Sequence, residues 1–186
     1  MRRNMKHPID INNYWGDRKD HDLYTLTKSL IRSFFSEASS AIDVGSYIGG
    51  LICDLDWIDK RIATDIQDLK KNWEAVDGVE FVMGDAFNLG FPNMFDLVIS
   101  NQTVEHLEQP EQFVNKLLDL GRGLILTTTY QTPYGLIPGH IQDPIDMEKF
   151  ASWFPCKLDA IAICYHPSRT IGHIIGVVKQ SHPNAG

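Results

Sequence analysis

Short apolar runs alternate with helix-like segments along most of this 186-residue chain. Such alternation is typical of a mostly parallel sheet covered by helices on both faces. The predicted strands are residues 41–45, 61–66, 79–84, 95–100, 123–129, 158–165 and 171–179. A turn around Pro167-Ser168 joins the last two strands into a hairpin, so we expect the sheet to end antiparallel. The order of elements therefore predicts an α/β fold.

Between these strands we predict helices over residues 22–37, 49–57, 69–76, 109–120 and 146–154. Gly121 is expected to end the fourth helix in the left-handed conformation that glycine adopts without steric cost. Asp146 is expected to cap the N-terminus of the fifth helix with its side chain.

The length suits one hydrophobic core and is too short for two comfortable domains. We place that domain at residues 21–186, after a polar segment at residues 1–20. Within the polar segment, Tyr14 and Trp15 either pack on the first helix or form part of a lid over a ligand.

Composition and charge narrow the classes of function. No apolar run approaches the roughly 20 residues that span a bilayer, and none follows the basic N-terminus as in a signal peptide. A formal net charge of −7 disfavours a nucleic-acid-binding protein, which normally presents a basic face. Cys53, Cys156 and Cys164 form no CxxC pattern, which predicts reduced core residues rather than a zinc site. We therefore expect a cytoplasmic protein without a membrane or nucleic-acid partner.

The first predicted strand runs into a glycine loop that contains Gly45 and Gly49. Glycine lets the backbone turn sharply and approach a ligand closely. A nicotinamide-binding loop is the obvious competitor, but Asp43 stands on the strand just before the first glycine. A carboxylate there would repel a pyrophosphate, whereas it suits the cationic amino group and sulfonium of S-adenosyl-methionine.

Two further acids stand at the ends of the next strands. Asp65 follows Asp43 by 22 positions (65 − 43), where an acid can accept hydrogen bonds from both ribose hydroxyls of an adenosine. Asp85 closes the third strand at the edge where open α/β sheets bind ligands. A single acid at such a position is usually a helix cap, but three at successive strand ends indicate a site.

These segments together resemble the class I S-adenosyl-methionine-dependent methyltransferases over about residues 40–179. The motifs are Asp43-Val44-Gly45 with Gly49, Thr64-Asp65, Gly84-Asp85-Ala86, residues 95–101 and Val104-Glu105-His106-Leu107. The resemblance implies a single Rossmann-like three-layer sandwich, with a mostly parallel sheet of about seven strands and an antiparallel last strand. It also implies S-adenosyl-L-methionine as cofactor, bound over the carboxyl ends of the first strands. The implied contacts are Asp43, Gly45, Ser46, Tyr47, Gly49, Asp65, Ile66, Asp85, Ala86 and Asn101.

One position departs from the family pattern, because Tyr47 stands where the family usually has glycine. The loop is therefore expected to turn differently, with Tyr47 projecting over the cofactor.

The segment after the fourth strand points to the chemistry of the methyl acceptor. Residues 100–103 lack the Pro-Pro-aromatic sequence of enzymes that methylate planar amides or nucleobase amines, which favours oxygen. Because an alcohol must lose a proton, a base is expected near the methyl group. We assign this role to His140, with Asp143 orienting its ring. The stretch around them resembles small bacterial methyltransferases of polysaccharide or secondary-metabolite pathways, which implies a sugar or other small hydroxylated acceptor.

His106 leaves three roles open: a structural contact, acid–base work or metal ligation. With Glu105 it resembles the Glu-x-x-Glu-His element of metal-dependent O-methyltransferases, but Gln102 replaces the first acid. An amide is a weak ligand for a hard cation such as Mg²⁺, so we expect no metal.

Two further alternatives stay open, a non-catalytic adenosyl-binding protein and a nicotinamide oxidoreductase. The last strands carry little inserted sequence, so either the acceptor is small or a homodimer completes the pocket.

Overall fold

A computed structural model describes residues 11–74, 76–165 and 171–180. Its helices are α1 (Ile11–Gly16), α2 (Asp22–Phe34), α3 (Lys70–Trp73), α4 (Pro110–Leu120) and α5 (Met147–Ser152). Its strands are β1 (Ser40–Val44), β2 (Lys60–Asp65), β3 (Glu80–Met83), β4 (Leu97–Asn101), β5 (Gly123–Tyr130), β6 (Ala160–Tyr165) and β7 (Gly172–Lys179). Short 3-10 turns lie at Leu51–Asp54, Ala86–Asn88 and Val104–His106.

The strands of the described residues form one seven-stranded sheet in the order β3-β2-β1-β4-β5-β7-β6. The first five are parallel, β7 is antiparallel to β5, and β6 pairs antiparallel with β7. The predicted fold class and the terminal β6–β7 pairing are confirmed. Chain order reverses between β1 and β4, and a ligand crevice is expected at the carboxyl ends of such a pair.

Alternate residues of the central strands enter two separate cores, as the two-residue period of a strand requires. Leu97 and Ile99 of β4 face the core that α2 covers, while Val98 faces the core beneath α4. Each core is continuous and contains about twenty buried apolar residues. The central strands β1, β4 and β5 are therefore buried on both faces, as is typical of parallel sheets.

Two predicted helices are shorter than expected. Residues 49–57 form only the 3-10 turn Leu51–Asp54, in which Leu51, Ile52 and the following Leu55 are all buried in one core. Residues 69–76 yield only α3. Asp146 caps α5 as predicted, since its Oδ1 accepts a hydrogen bond from Lys149 N at 2.8 Å.

The predicted left-handed cap at Gly121 is wrong. Its backbone is extended (φ −158°, ψ 169°), because the chain leaves α4 directly into a bridge with Phe95. The glycine is needed for space: a Cβ at this position would lie 2.5 Å from Val98 Cγ2 and 2.9 Å from Phe95 O.

The prediction for the cysteines as core residues is wrong for Cys156, which is exposed, while Cys53 and Cys164 are half-buried. No helix of the described residues is long and apolar enough to cross a bilayer. The predicted turn at Pro167-Ser168 lies outside the described residues, as do residues 1–10 of the predicted lid segment.

We predict that Gly121→Ala lowers the free energy of unfolding by roughly 1–3 kcal/mol, because overpacking against backbone cannot relax. Gly90→Ala is the matched control, since a Cβ there meets nothing within 4 Å. Urea unfolding of both variants measures the difference. Equal stability of the two would contradict the steric role of Gly121.

Candidate functional site

A cavity of about 560 Å³ opens at the carboxyl ends of β1, β2 and β4. All ten residues predicted to contact the cofactor line it: Asp43, Gly45, Ser46, Tyr47, Gly49, Asp65, Ile66, Asp85, Ala86 and Asn101. The strand order explains this convergence, because parallel neighbours end at the same edge of the sheet. His106 also lines the cavity, whereas His140 and Asp143 are not among the lining residues.

The glycine loop takes its shape from Gly45, whose φ of +76° is in the left-handed region. A Cβ there would lie 2.4 Å from Thr103 Oγ1, so a side chain is excluded by space as well as by conformation. Thr103 belongs to the segment after β4, and its Oγ1 donates to Gly45 O at 3.3 Å, which joins the two strand ends at the crevice.

Tyr47 occupies a left-handed position too, with φ +46°, which is uncommon for a residue other than glycine. Its N–H donates to Asp65 Oδ2 at 2.8 Å, and its carbonyl accepts from Trp73 Nε1 at 2.9 Å. Its ring packs edge-to-face on Tyr14, with ring centroids 5.9 Å apart. Hydrogen bonds to its N–H and to its carbonyl thus stabilise the left-handed conformation of Tyr47.

Asp65 and Asp85 both accept hydrogen bonds from backbone N–H groups at the cavity wall. Asp65 accepts from Tyr47 N and, through Oδ1, from Gln67 N at 2.9 Å. Asp85 caps the Ala86–Asn88 turn by accepting from Phe87 N at 3.0 Å. A carboxylate has about four acceptor sites, so both residues retain lone pairs for a ligand.

Asp43 differs from these two acids, because one of its oxygens accepts no hydrogen bond from the described residues. The residue is buried, and its Oδ1 has no hydrogen-bond partner among the described residues. Burial, followed by the charge of Asp65, raises the pKa of Asp43 to about 8. An unsatisfied buried carboxyl on a cavity wall is costly unless a donor or cation from a ligand reaches it.

The two aromatic residues of the N-terminal segment separate in the structure. Trp15 is buried, donates from Nε1 to Asp54 Oδ1 at 3.0 Å and covers Gly50, where a Cβ would lie 2.4 Å from its ring. Tyr14 lines the cavity beside Tyr47. Trp15 therefore packs on the domain. Tyr14 lies where a lid residue over the cavity would lie.

His140 and Asp143 form the pair that their spacing predicts. His140 Nδ1 lies 2.8 Å from Asp143 Oδ2, and Asp143 Oδ1 accepts from Thr129 Oγ1 at 2.8 Å. The other ring nitrogen of His140 faces Glu105, with 4.0 Å between Nε2 and Oε1. Both nitrogens of this nearly buried ring thus point at carboxyl groups rather than into the cavity.

His106 is exposed, and its ring packs edge-to-face on His140 with centroids 4.7 Å apart. Its Nδ1 lies 2.9 Å from the carbonyl oxygen of Gly139. A carbonyl can only accept, so this nitrogen carries the proton and Nε2 has the lone pair of the neutral ring. His106 is therefore the imidazole that can present a basic nitrogen at the cavity.

Glu105 lies behind the two imidazoles and is fully buried. Burial is the main cause that raises its pKa to about 8. In the orientation of the Gln102 amide that gives both of its polar atoms a partner, the nitrogen donates to Glu105 Oε1 at 3.3 Å and the oxygen accepts from Thr128 N at 3.2 Å. One ligand atom each from Glu105, His106 and His140 lie within 4.8 Å of one another, a spacing that could hold a metal ion.

Sequence reasoning missed several lining residues, among them Tyr24, Gln67, Thr103 and Phe113. Tyr24 and Phe113 belong to amphipathic helices and carry no motif that separates them from core residues. Thr103 follows the end of a predicted strand, and this position is the one sequence signal that could have placed it at the cavity.

Comparison with known proteins agrees with this geometry. Residues 43–122 match the model of a methyltransferase domain family. No curated protein matches the chain in sequence. Among solved structures, the N-methyltransferase NodS from Bradyrhizobium japonicum WM9, in complex with S-adenosyl-L-homocysteine, is similar at a TM-score of 0.68 and 14% identity, over 92% of this chain and 94% of that one.

Two other structures show the same fold. Magnesium protoporphyrin IX methyltransferase from Synechocystis PCC 6803, with bound S-adenosyl-homocysteine, has a TM-score of 0.65 and 17% identity, over 86% of this chain and 84% of that one. The [4+2]-cyclase SpnF has a TM-score of 0.66 and 13% identity, over 84% and 80%. The domain match covers Asp43, Asp65 and Asp85, and the seven-stranded fold extends over the described chain around it. Residues 43–122 therefore match a methyltransferase domain, and the described residues share the fold of solved S-adenosyl-methionine-dependent methyltransferases.

Proposed function

We propose that this protein methylates a hydroxyl oxygen of a sugar or other small acceptor, with S-adenosyl-methionine bound in the 560 Å³ cavity. The observation that carries the proposal is His106, an imidazole on the cavity wall whose protonated Nδ1 is engaged by Gly139. An amine acceptor can attack in its neutral form, whereas a hydroxyl benefits from a base at this place.

Asp43 and Asp65 are the residues that would hold the cofactor. The cofactor's cationic amino group would supply the donor that Asp43 Oδ1 lacks. The remaining lone pairs of Asp65 suit the two ribose hydroxyls. When bound, S-adenosyl-methionine supplies a methyl group that is already activated by its sulfonium.

His106 would act on the acceptor. As the acceptor oxygen bonds to the methyl carbon and the carbon–sulfur bond breaks, the hydroxyl proton passes to His106 Nε2. Gly139 O fixes the tautomer that leaves this nitrogen basic. His140 lies between His106 and Asp143 and contacts both. The negative charge of the Asp143 carboxylate would favour the imidazolium that forms at His106.

His140 and Asp143 are proposed as positioning residues. The sequence-based hypothesis assigns the base to His140, but the cavity is lined by His106 instead. The segment that carries His140 is docked on the turn that carries His106, because Ile141 N and Gln142 N both donate to Glu105 O, at 2.9 and 3.2 Å. Each histidine thereby stabilises the place of the other.

We predict that Asp43→Asn weakens S-adenosyl-homocysteine binding by about tenfold or more, because a charge-assisted contact becomes neutral. Titration calorimetry above pH 8 measures this, where the Asp43 carboxyl with its pKa of about 8 is ionised. Asp68→Asn, at an exposed position outside the cavity, is the control. Equal affinity of the two variants would contradict the assigned role of Asp43.

The same substitution should stabilise the ligand-free protein at neutral pH. A carboxyl with a raised folded-state pKa stays protonated while the unfolded chain ionises near pH 4, so stability falls as pH rises from about 4 to about 8. Thermal unfolding of Asp43→Asn should show a flatter pH dependence than the wild type over this range. An unchanged slope would mean that Asp43 is not buried as a neutral group.

We predict that His106→Ala lowers turnover by about 10²–10⁴-fold, because it removes the base. His140→Ala should cost less, since it disturbs only the position of the base. Single-turnover transfer from labelled cofactor measures both, with calorimetry as the check that cofactor affinity is retained. The reverse order of losses would restore His140 as the base.

A metal-dependent O-methyltransferase is the second candidate, favoured by the spacing of Glu105, His106 and His140. Two imidazoles and one acid suit Zn²⁺, Mn²⁺ or Fe²⁺ better than Mg²⁺. Against it, Asp143 and Gly139 already occupy one nitrogen of each histidine, and Glu105 favours its protonated form.

We predict that chelation leaves both turnover and S-adenosyl-homocysteine affinity unchanged, because these side chains are already partnered. Elemental analysis of the purified protein should find less than one metal per chain. Stoichiometric metal that is lost in Glu105→Gln would establish the second candidate instead.

A further inference from the structure

A second cavity of about 160 Å³ adjoins the cofactor cavity. Tyr24 and Gln102 line both, so they form a wall that the two cavities share. The second cavity lies between the start of α2 and the ends of β6 and β7, where Cys164 and His173 contribute to its surface. A group bound in the second cavity would therefore lie next to Gln102, which also lines the first.

Three side chains that can carry positive charge line this small space: Arg18, His21 and His173. Arg18 is held in place, because its guanidinium lies 3.7 Å from the ring centroid of Tyr14 and its Nη1 donates to Tyr14 O at 3.0 Å. These contacts use one of five N–H donors and leave the others for a ligand. Among the described residues, no carboxylate lies within 4.0 Å of the Arg18 nitrogens.

The one acid that lines the cavity is Asp22, which is exposed, whereas the three basic side chains are half-buried. Arg18 carries its positive charge at all ordinary pH values and the two imidazoles add to it when protonated, whereas water screens the exposed charge of Asp22. The chain as a whole carries a net charge of −7 and would repel an anionic molecule at long range. A basic cavity in such a chain indicates a local anion site.

We propose that this cavity binds an oxyanion, phosphate or carboxylate, carried by the hydroxylated acceptor. That the anion belongs to a methyl acceptor rests on the proposed O-methyl transfer. The anion site itself is inferred only from the cavity and its side chains. Arg18 offers the paired N–H geometry that suits both oxyanions. Its stacking on Tyr14 would fix the anionic end of the acceptor relative to the cavity that holds the methyl donor.

The deciding experiment titrates inorganic phosphate into the protein saturated with S-adenosyl-homocysteine, followed by NMR of the imidazole protons. We expect saturable shifts at His21 and His173, and at least a tenfold weaker response in Arg18→Met. Lys19→Met is the matched control, because it removes a neighbouring exposed positive charge that does not line the cavity. Absent shifts in the wild type, or equal weakening in both variants, would overturn the proposal.

A second measurement uses labelled cofactor with matched acceptors: a neutral methyl glycoside, the sugar phosphate and the sugar acid. Arg18→Met should raise KM for the anionic members about tenfold or more with little change in kcat, and leave the neutral member unaffected. Preference for the phosphate or for the acid identifies the source of the oxyanion. Equal loss with all three would show that Arg18 acts only through Tyr14. If no acceptor reacts while phosphate still binds, the transfer proposal fails and the anion site stands.

Discussion

The carboxylate of Asp65 holds the loop on which the cofactor cavity depends. It accepts the N–H of Tyr47, whose φ of +46° costs free energy that the loop must recover from contacts. Trp73 donates to the carbonyl of the same residue, and Gly45 gives the turn room against Thr103. A glycine at position 47 would adopt this conformation without such support. Here one acid both shapes the loop and lines the cavity, so removing its side chain would change both.

Two other acids of the site are buried without full compensation. Asp43 has an oxygen without a partner among the described residues, and Glu105 is fully enclosed, so that the pKa of each is raised to about 8. Natural chains tolerate such groups mainly where function requires them. Both lie around the crevice between β1 and β4, Asp43 on the cavity wall and Glu105 next to His106 in the chain. The stability that these acids cost is thus concentrated where the chemistry is proposed.

The sheet and the ten cofactor-contact candidates could be predicted from the sequence, because strand ends in a parallel sheet have only one edge at which to meet. Loop geometry could not be predicted in this way. His140 turns toward Glu105 because two backbone N–H groups dock its segment on the turn after β4, a contact between residues more than thirty positions apart. Gly121 failed as a cap for a related reason, since its bridge with Phe95 is a tertiary contact. Arg18 carried no motif, and only the approach of β7 to the start of α2 places His173 near it.

The fold alone does not choose the reaction, since a [4+2]-cyclase shares it with two methyltransferases at similar TM-scores. What differs between such proteins must lie in the segments around the crevice rather than in the sheet. In this chain those segments are the turn with Glu105 and His106, the docked segment with His140 and Asp143, and the connection that carries Arg18. Gln102 links them, because it touches Glu105 on one side and lines both cavities on the other. A hydroxyl held near Gln102 would therefore have a base on one side and an anion site on the other, which is the arrangement that a small acidic acceptor requires.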